Sequence, residues 1–157
     1  MKLWRIAAET RNYEAADLSG AGAAKYPGRW NDEGQPVVYA APTIAMAVLE
    51  TAAHINDASF PLDRFLLELD VPDAIWALHE VLDVKKLAPT WSAIPAGHES
   101  VRAGSIWLTS LRSPILLVPS VVVPEESAAL INPRHPSSAQ ITARVVRAFE
   151  YNRLFRN

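Results

Sequence analysis

Apolar residues come along this chain in short bursts separated by polar or breaker residues, and the spacing within each burst predicts its element. KLWRIA alternates in part and reads as an opening strand. Residues 8–35 are rich in Ala, Gly, Asp and Asn, with Pro27, Gly28 and Gly34 as breakers, which predicts a long, partly helical loop leading into GRWNDEG. PVVYA is a short buried strand. Thr43 then offers an N-cap hydroxyl for a helix to about Ile55, rich in Ala, Met and Leu. DRFLLELDVP is the clearest strand, with Phe65, Leu67 and Leu69 on one face and Leu66, Glu68 and Asp70 on the other. IWALHEVL fits either a continuing strand or a short helix. Pro89 and Pro95 separate it from HESVRAGSIWLTSL, which reads as a helix despite Gly104. SPILLVPS and VVVP read as buried strands around Pro119 and Ser120. ITARVVRAFEY reads as a last strand whose apolar residues, Ile141, Ala143, Val145 and Ala148, are imperfectly in phase. No repeat or linker breaks the chain, so residues 1–157 are expected to form one α+β domain, not a regular βαβ array.

Composition narrows the function classes. Half of the 157 residues are hydrophobic and a fifth are charged, which is globular composition. A net charge of −2 leaves no basic stripe for nucleic acid beyond a scatter of Arg144, Arg147, Arg153 and Arg156. There is no cysteine, which removes disulfide and thiolate chemistry. The N-terminal segment turns polar too soon for a signal peptide, and no apolar run nears the roughly 18 residues that span a bilayer. A cytoplasmic protein with no membrane partner is expected. His54, His79, His98 and His135 make no metal-ligand pattern, so no metal site is expected. Gly20-Ala-Gly22 lacks the third glycine of a dinucleotide fingerprint, which argues against a recycled redox cofactor.

The chemistry-bearing residues are few. Arg29 lies in GRWNDEG, Tyr39 ends PVVY, Glu50 lies in TIAMAVLETAAH and Ser120 follows ILLVP. Arginine clamps phosphate with a planar, permanently charged fork. A fixed carboxylate stabilises an oxocarbenium-like centre. On the predicted helix Ala47, Glu50 and His54 share a face, so Glu50 is expected to be partly buried, which is rare for an unpaired carboxylate. The set fits removal of nicotinamide from NAD+, with NAD+ as substrate and no cofactor. Each residue also has a plainer reading: Arg29 as a surface arginine, Tyr39 as core filling, Glu50 as an ion-pair partner and Ser120 as a strand end. No Gly-x-Ser-x-Gly elbow surrounds Ser120, so it is not read as a nucleophile. Arg5, within an apolar strand, is a second phosphate ligand or half of a structural ion pair. Of the five tryptophans, Trp30 beside Arg29 is the one expected to line a pocket.

WRI, GRWN, VVYAA, AVLETAAH, VPSVVVPEE and INPRHP occur in the order found in the RES-domain family, which this chain resembles over nearly its whole length. The family is named for an Arg, a Glu and a Ser, which match Arg29, Glu50 and Ser120. The resemblance implies a fold like that of ADP-ribosyltransferases and a toxin acting on NAD+, by phosphorolysis in some members and by ADP-ribosylation of a protein in others. It also implies an Xre-type helix-turn-helix antitoxin that occludes the site, and a homodimer. Tyr39 would contact the ligand, Glu50 the cationic ribose, Ser120 the ribose or a phosphate. Asn132 and His135 would shape the pocket rim or, alternatively, only stabilise a turn through Asn-Pro and His-Pro. The chain departs from the family where Ser127 follows Glu126, at a position where an Asn is usual.

Overall fold

The computed structural model describes residues 1–55 and 61–155. In chain order the elements are β1 (Lys2–Ala8), α1 (Ala21–Lys25), β2 (Val38–Ala40), α2 (Ile44–Ala52), β3 (Arg64–Asp70), α3 (Asp73–Trp76), β4 (Glu80–Val81), α4 (His98–Ser110), β5 (Ile115–Pro119), β6 (Ser127–Ile131) and β7 (Thr142–Phe149), with short 3-10 turns between them. This is the expected α+β class. One sheet has the order β1-β3-β7 and is antiparallel throughout; the other runs β2-β6-β5-β4, with only the β4–β5 pair parallel. An isolated antiparallel bridge joins the sheets: Trp4 and Ala41 exchange both backbone hydrogen bonds, each 2.8 Å.

Three apolar clusters follow from this arrangement. Leu3, Val38, Leu67, Ile115 and Ile131 come from both sheets and fill the space between them. Trp30, Trp107, Leu116, Val118 and Leu130 lie between the second sheet and α4. Ile6, Ala41, Met46, Ala47 and Leu66 seat α2 on the first sheet. Each fully buried Leu, Ile or Val contributes about 1.5–3 kcal/mol by leaving water.

Most elements fall where the apolar pattern puts them. The Thr43 hydroxyl caps α2 by accepting from the Met46 amide at 3.1 Å. That helix ends at Ala52, so His54 lies beyond it, exposed, and does not continue the face of Ala47 and Glu50. IWALHEVL divides between α3 and β4. The uneven phase of the last strand has a cause. Leu66 faces Arg147 while Leu67 faces Val145, so Val146 is an extra residue in a bulge that shifts the alternation.

VVVP is not a strand. The Ser120 hydroxyl oxygen accepts from the amides of Val122 and Val123, and the Ser120 amide donates to the Glu126 carbonyl, closing a turn. The strand resumes at Ser127, opposite Pro119. Three β-branched valines favour extension, but an antiparallel return between β5 and β6 requires the reversal here, and tertiary pairing overrides propensity.

Candidate active site

The loop before β2 is organised by Asn31, which is fully buried. Its amide nitrogen donates to the carbonyls of Ala23 at 2.8 Å and Gln35 at 3.0 Å. Its side-chain oxygen accepts from the Gly28 amide at 2.9 Å and the Tyr39 hydroxyl at 2.7 Å. The Tyr39 hydroxyl in turn accepts from the Trp30 amide at 3.0 Å. Gly28 is required because a Cβ there would sit 2.7 Å from that hydroxyl. GRWN is thus a clamp in which two side chains bind the backbone on either side of Arg29. Burial pushes the Tyr39 phenol well above its usual range, so it stays neutral and keeps its proton for Asn31.

Arg29 is half-buried. Its Nη1 donates to the carbonyls of Trp91 at 3.1 Å and Ala93 at 2.7 Å. Those bonds fix the guanidinium plane and leave Nε and Nη2 for another acceptor. Burial lowers its pKa, while the nearby Glu50 and Tyr39 oppose that shift. Glu50 is carried in by α2, on the side of Met46 and Ala47 that packs against β1. Its Oε1 is sealed from solvent and has no hydrogen-bond partner. Arg29, Tyr39 and Glu50 therefore form one electrostatic group with a carboxylate oxygen left open.

The other sequence candidates are placed differently. Ser120 is buried, its oxygen accepting the two turn amides. Trp30 is 3 % exposed and stacks on Trp91 with centroids 6.0 Å apart, so it forms core and does not line an open pocket. Asn132 is fully buried, its amide donating to the Leu108 carbonyl at 2.9 Å and its oxygen accepting from the Arg134 amide. His135 Nδ1 accepts from the Ser137 amide. Both side chains hold the turns around Asn132-Pro133 and His135-Pro136. Arg5 is half-buried with Nη1 sealed and unpartnered, and its electrostatic neighbours are Asp17 and Tyr13, not the Arg29 group. Among the described residues no group of three or more His, Cys, Asp or Glu is placed to hold a metal ion. None of the described helices is long and apolar enough to cross a membrane.

Asn31 and Gly28 escape a search for chemistry-bearing residues because they act on the backbone. The available signal was the loop's spacing, with Asn following a Gly-Arg-aromatic run.

The RES domain family model matches residues 2–153. A relative from Sphingobium sp. (strain YBL2), named Prs ADP-ribosylating toxin, is 51% identical over 149 residues, covering 95% of this chain and 92% of its own. A protein of Pseudomonas putida KT2440 named Toxin Res is 36% identical over 157 residues, covering 99% of this chain and 100% of its own. A chain in the crystal structure of the MbcT-MbcA toxin-antitoxin complex of M. tuberculosis superposes with a TM-score of 0.54 at 18% identity, over 93% of this chain and 84% of that one, and shows the same fold. The chain belongs to the RES domain family.

Proposed function

We propose that this protein is the toxin of a toxin–antitoxin pair and that it breaks the bond between nicotinamide and ribose in NAD+. The observation that carries the reading is Glu50, whose buried Oε1 has no partner and faces the field of Arg29. Leaving a buried acceptor unmade costs about 1–3 kcal/mol, a cost that substrate would relieve. As the C1′–N bond breaks, its electron pair leaves with nicotinamide, which departs neutral, and positive charge grows on the ribose. A fixed carboxylate stabilises that charge more in the transition state than in the ground state. The free edge of Arg29 binds the nicotinamide-side phosphate, and Ser120, whose oxygen is taken by two turn amides, keeps only its hydroxyl proton to donate to the ribose. The Tyr39 hydroxyl is committed to Asn31 and Trp30, so its contribution is to hold the loop and present its ring. Water, phosphate or a protein side chain then attacks C1′, losing a proton where the acceptor carries one. Depletion of cellular NAD+ by hydrolysis or phosphorolysis follows from the first two acceptors.

The name of the Sphingobium relative favours the third, transfer of ADP-ribose to a protein from the same pocket. The partner we propose is an Xre-type antitoxin that covers this site, in keeping with the toxin–antitoxin complex that shares the fold. We further propose a homodimer in the cytoplasm.

The test is purified protein, free of antitoxin, with NAD+ and with or without phosphate, following nicotinamide by chromatography. Glu50→Gln is expected to lower release by about 10²–10³-fold while its melting temperature stays level or rises. Full release by a folded Glu50→Gln would remove Glu50 from the mechanism. No release by the wild type, with no labelled ADP-ribose appearing on protein, would leave a silent antitoxin-binding partner.

A further inference from the structure

Glu50 is carried on the last turn of α2, and that turn is the weaker end of the helix. The Thr43 hydroxyl caps the start. The end has no basic residue and no glycine: Ala53, at the cap, stays in the right-handed region. The backbone ladder also changes there. The Ala53 amide bonds the Leu49 carbonyl, four residues back, at 3.0 Å, whereas the amides of His54 and Ile55 reach only three back, to Thr51 and Ala52. A helix as short as Ile44–Ala52 with such an end frays unless tertiary contacts hold it. Because Glu50 Oε1 has no hydrogen-bond partner, its place is set by the turn that carries it.

What meets that turn comes from the segment after β7. A 3-10 turn, Tyr151–Leu154, brings Tyr151 against α2. Tyr151 is 2 % exposed and packs in the cluster of Ile6, Met46, Ala47 and Leu66, with Leu49 and Ala52 of the last turn beside it. Phe149 meets its ring edge-on, with centroids 4.9 Å apart. The phenol is hydrogen-bonded to the side chain of Thr51, the neighbour of Glu50 in sequence. Thr51 has one hydroxyl proton, shared between the Ala47 and Val48 carbonyls at 2.9 and 3.1 Å, so its oxygen accepts the proton of Tyr151. Burial raises the pKa of the phenol, which keeps that proton in place at neutral pH. A phenylalanine would fill the same space; the hydroxyl adds a directed bond to the turn of Glu50.

We infer that Tyr151 is a positioning residue for the reaction at Glu50: bonded to Thr51, it holds the last turn of α2 and so keeps the carboxylate facing Arg29. Its role rests on Glu50 stabilising the cationic ribose. Tyr151 is too deeply buried to touch substrate and acts by geometry alone. Misplacing a catalytic group by about 1 Å costs as much as 10²-fold in rate. Removing the bond loosens Glu50 without removing its charge, and leaves the phosphate-binding edge of Arg29 as it was. Turnover then falls while affinity for NAD+ holds.

The experiment compares wild type, Tyr151→Phe, Thr51→Val and the double variant by NAD+ kinetics and by NMR of protein isotope-labelled at the glutamate carboxyls. Glu50→Gln identifies the Glu50 resonance by its loss. Each single variant is expected to lose about tenfold in kcat, to keep KM for NAD+ within about twofold, and to move the Glu50 resonance. The double variant should lose no more than either single one, because both remove the same bond. A merely structural tyrosine would lower the melting temperature and leave kcat and the Glu50 resonance of the folded variants unchanged, which overturns the positioning role. Losses that add in the double variant overturn it as well. Thr51→Val reads the same bond from its other side should Tyr151→Phe fail to fold. If wild type releases no nicotinamide, a Glu50 resonance that moves in either variant keeps the latch and overturns the proposed reaction, and one that stays overturns the latch.

Discussion

At the scale of single residues, the roles divide between groups that are held and groups that hold. Arg29 is held, by two carbonyls on one nitrogen, and presents its remaining edge in a fixed plane. Lysine carries the same charge but no fork, and cannot bond both carbonyls and a phosphate from one compact ammonium in the same geometry. Arg29→Lys is therefore expected to lose about 10²-fold in kcat/KM for NAD+, equivalent to about 2.7 kcal/mol, with an unchanged melting temperature. Near-wild-type kinetics would mean that charge alone is needed. Tyr39 holds: Tyr39→Phe deprives Asn31 of a donor and the Trp30 amide of its acceptor. A loss of about 1–3 kcal/mol in urea unfolding is expected. Arg29, Tyr39 and Glu50 were legible in the sequence because each is a polar residue set among apolar or small ones. Their grouping was not, since Arg29 and Glu50 are brought together by α2 docking on β1. The clamp by Asn31 was hidden for another reason: its bonds are all to backbone and to one hydroxyl, which leave no compositional trace.

At the scale of elements, local pattern located nearly every strand and helix and misjudged one connection. VVVP has the composition of a strand and became a turn, because the return of β6 along β5 demanded a reversal after Ser120. Gly104 reads as a weak point in α4, yet it permits the helix to lie against the Trp30 backbone. Gly104→Ala should gain helix propensity and still destabilise, by about 1–3 kcal/mol from overpacking, measured by chemical unfolding. The first sheet carries an ionic ladder across its strands. Lys2 on β1 reaches Glu68 and Asp70 on β3 at 3.0 Å each, and Arg144 on β7 reaches Glu68 at 2.9 Å. Hydrogen bonds from Lys2 hold Glu68 and Asp70 below the usual carboxylate range, and those carboxylates raise Lys2. The unfolded chain then takes up protons first as pH falls. The carboxylate contribution is present at neutral pH and is lost from about pH 4 downward, through the lower folded values. Lys2 works in the opposite sense: its contribution is complete below about pH 10.4 and is lost as pH rises through its higher folded value. Glu68→Gln should flatten the acid limb of melting temperature against pH at low salt, and added salt should shrink the difference. Parallel curves for the two proteins would show that the ladder is energetically idle.

At the scale of the whole molecule, the site depends on the two sheets staying docked. Tyr39 comes from the second sheet, the Asn31 clamp from the loop before it, and Glu50 from a helix whose apolar face rests on the first. The seam between the sheets has a single backbone bridge, at Trp4 and Ala41, among the described residues. What binds the halves is the shared apolar cluster, in which Leu3 and Leu67 from one sheet meet Val38 and Ile131 from the other. Neither sheet could bury that face alone, so the chain is expected to unfold as one unit. The tryptophans allow this to be seen. Trp4 reports on the first sheet near α2, while Trp30 and Trp107 report on the packing under α4. Loss of nicotinamide release, of tryptophan fluorescence and of far-ultraviolet dichroism should share one midpoint in urea. If activity and part of the tryptophan fluorescence fell well before far-ultraviolet dichroism, the Trp4–Ala41 seam would be opening while both sheets stayed folded, and the docking of α2 that positions Glu50 would be the weakest joint in the molecule.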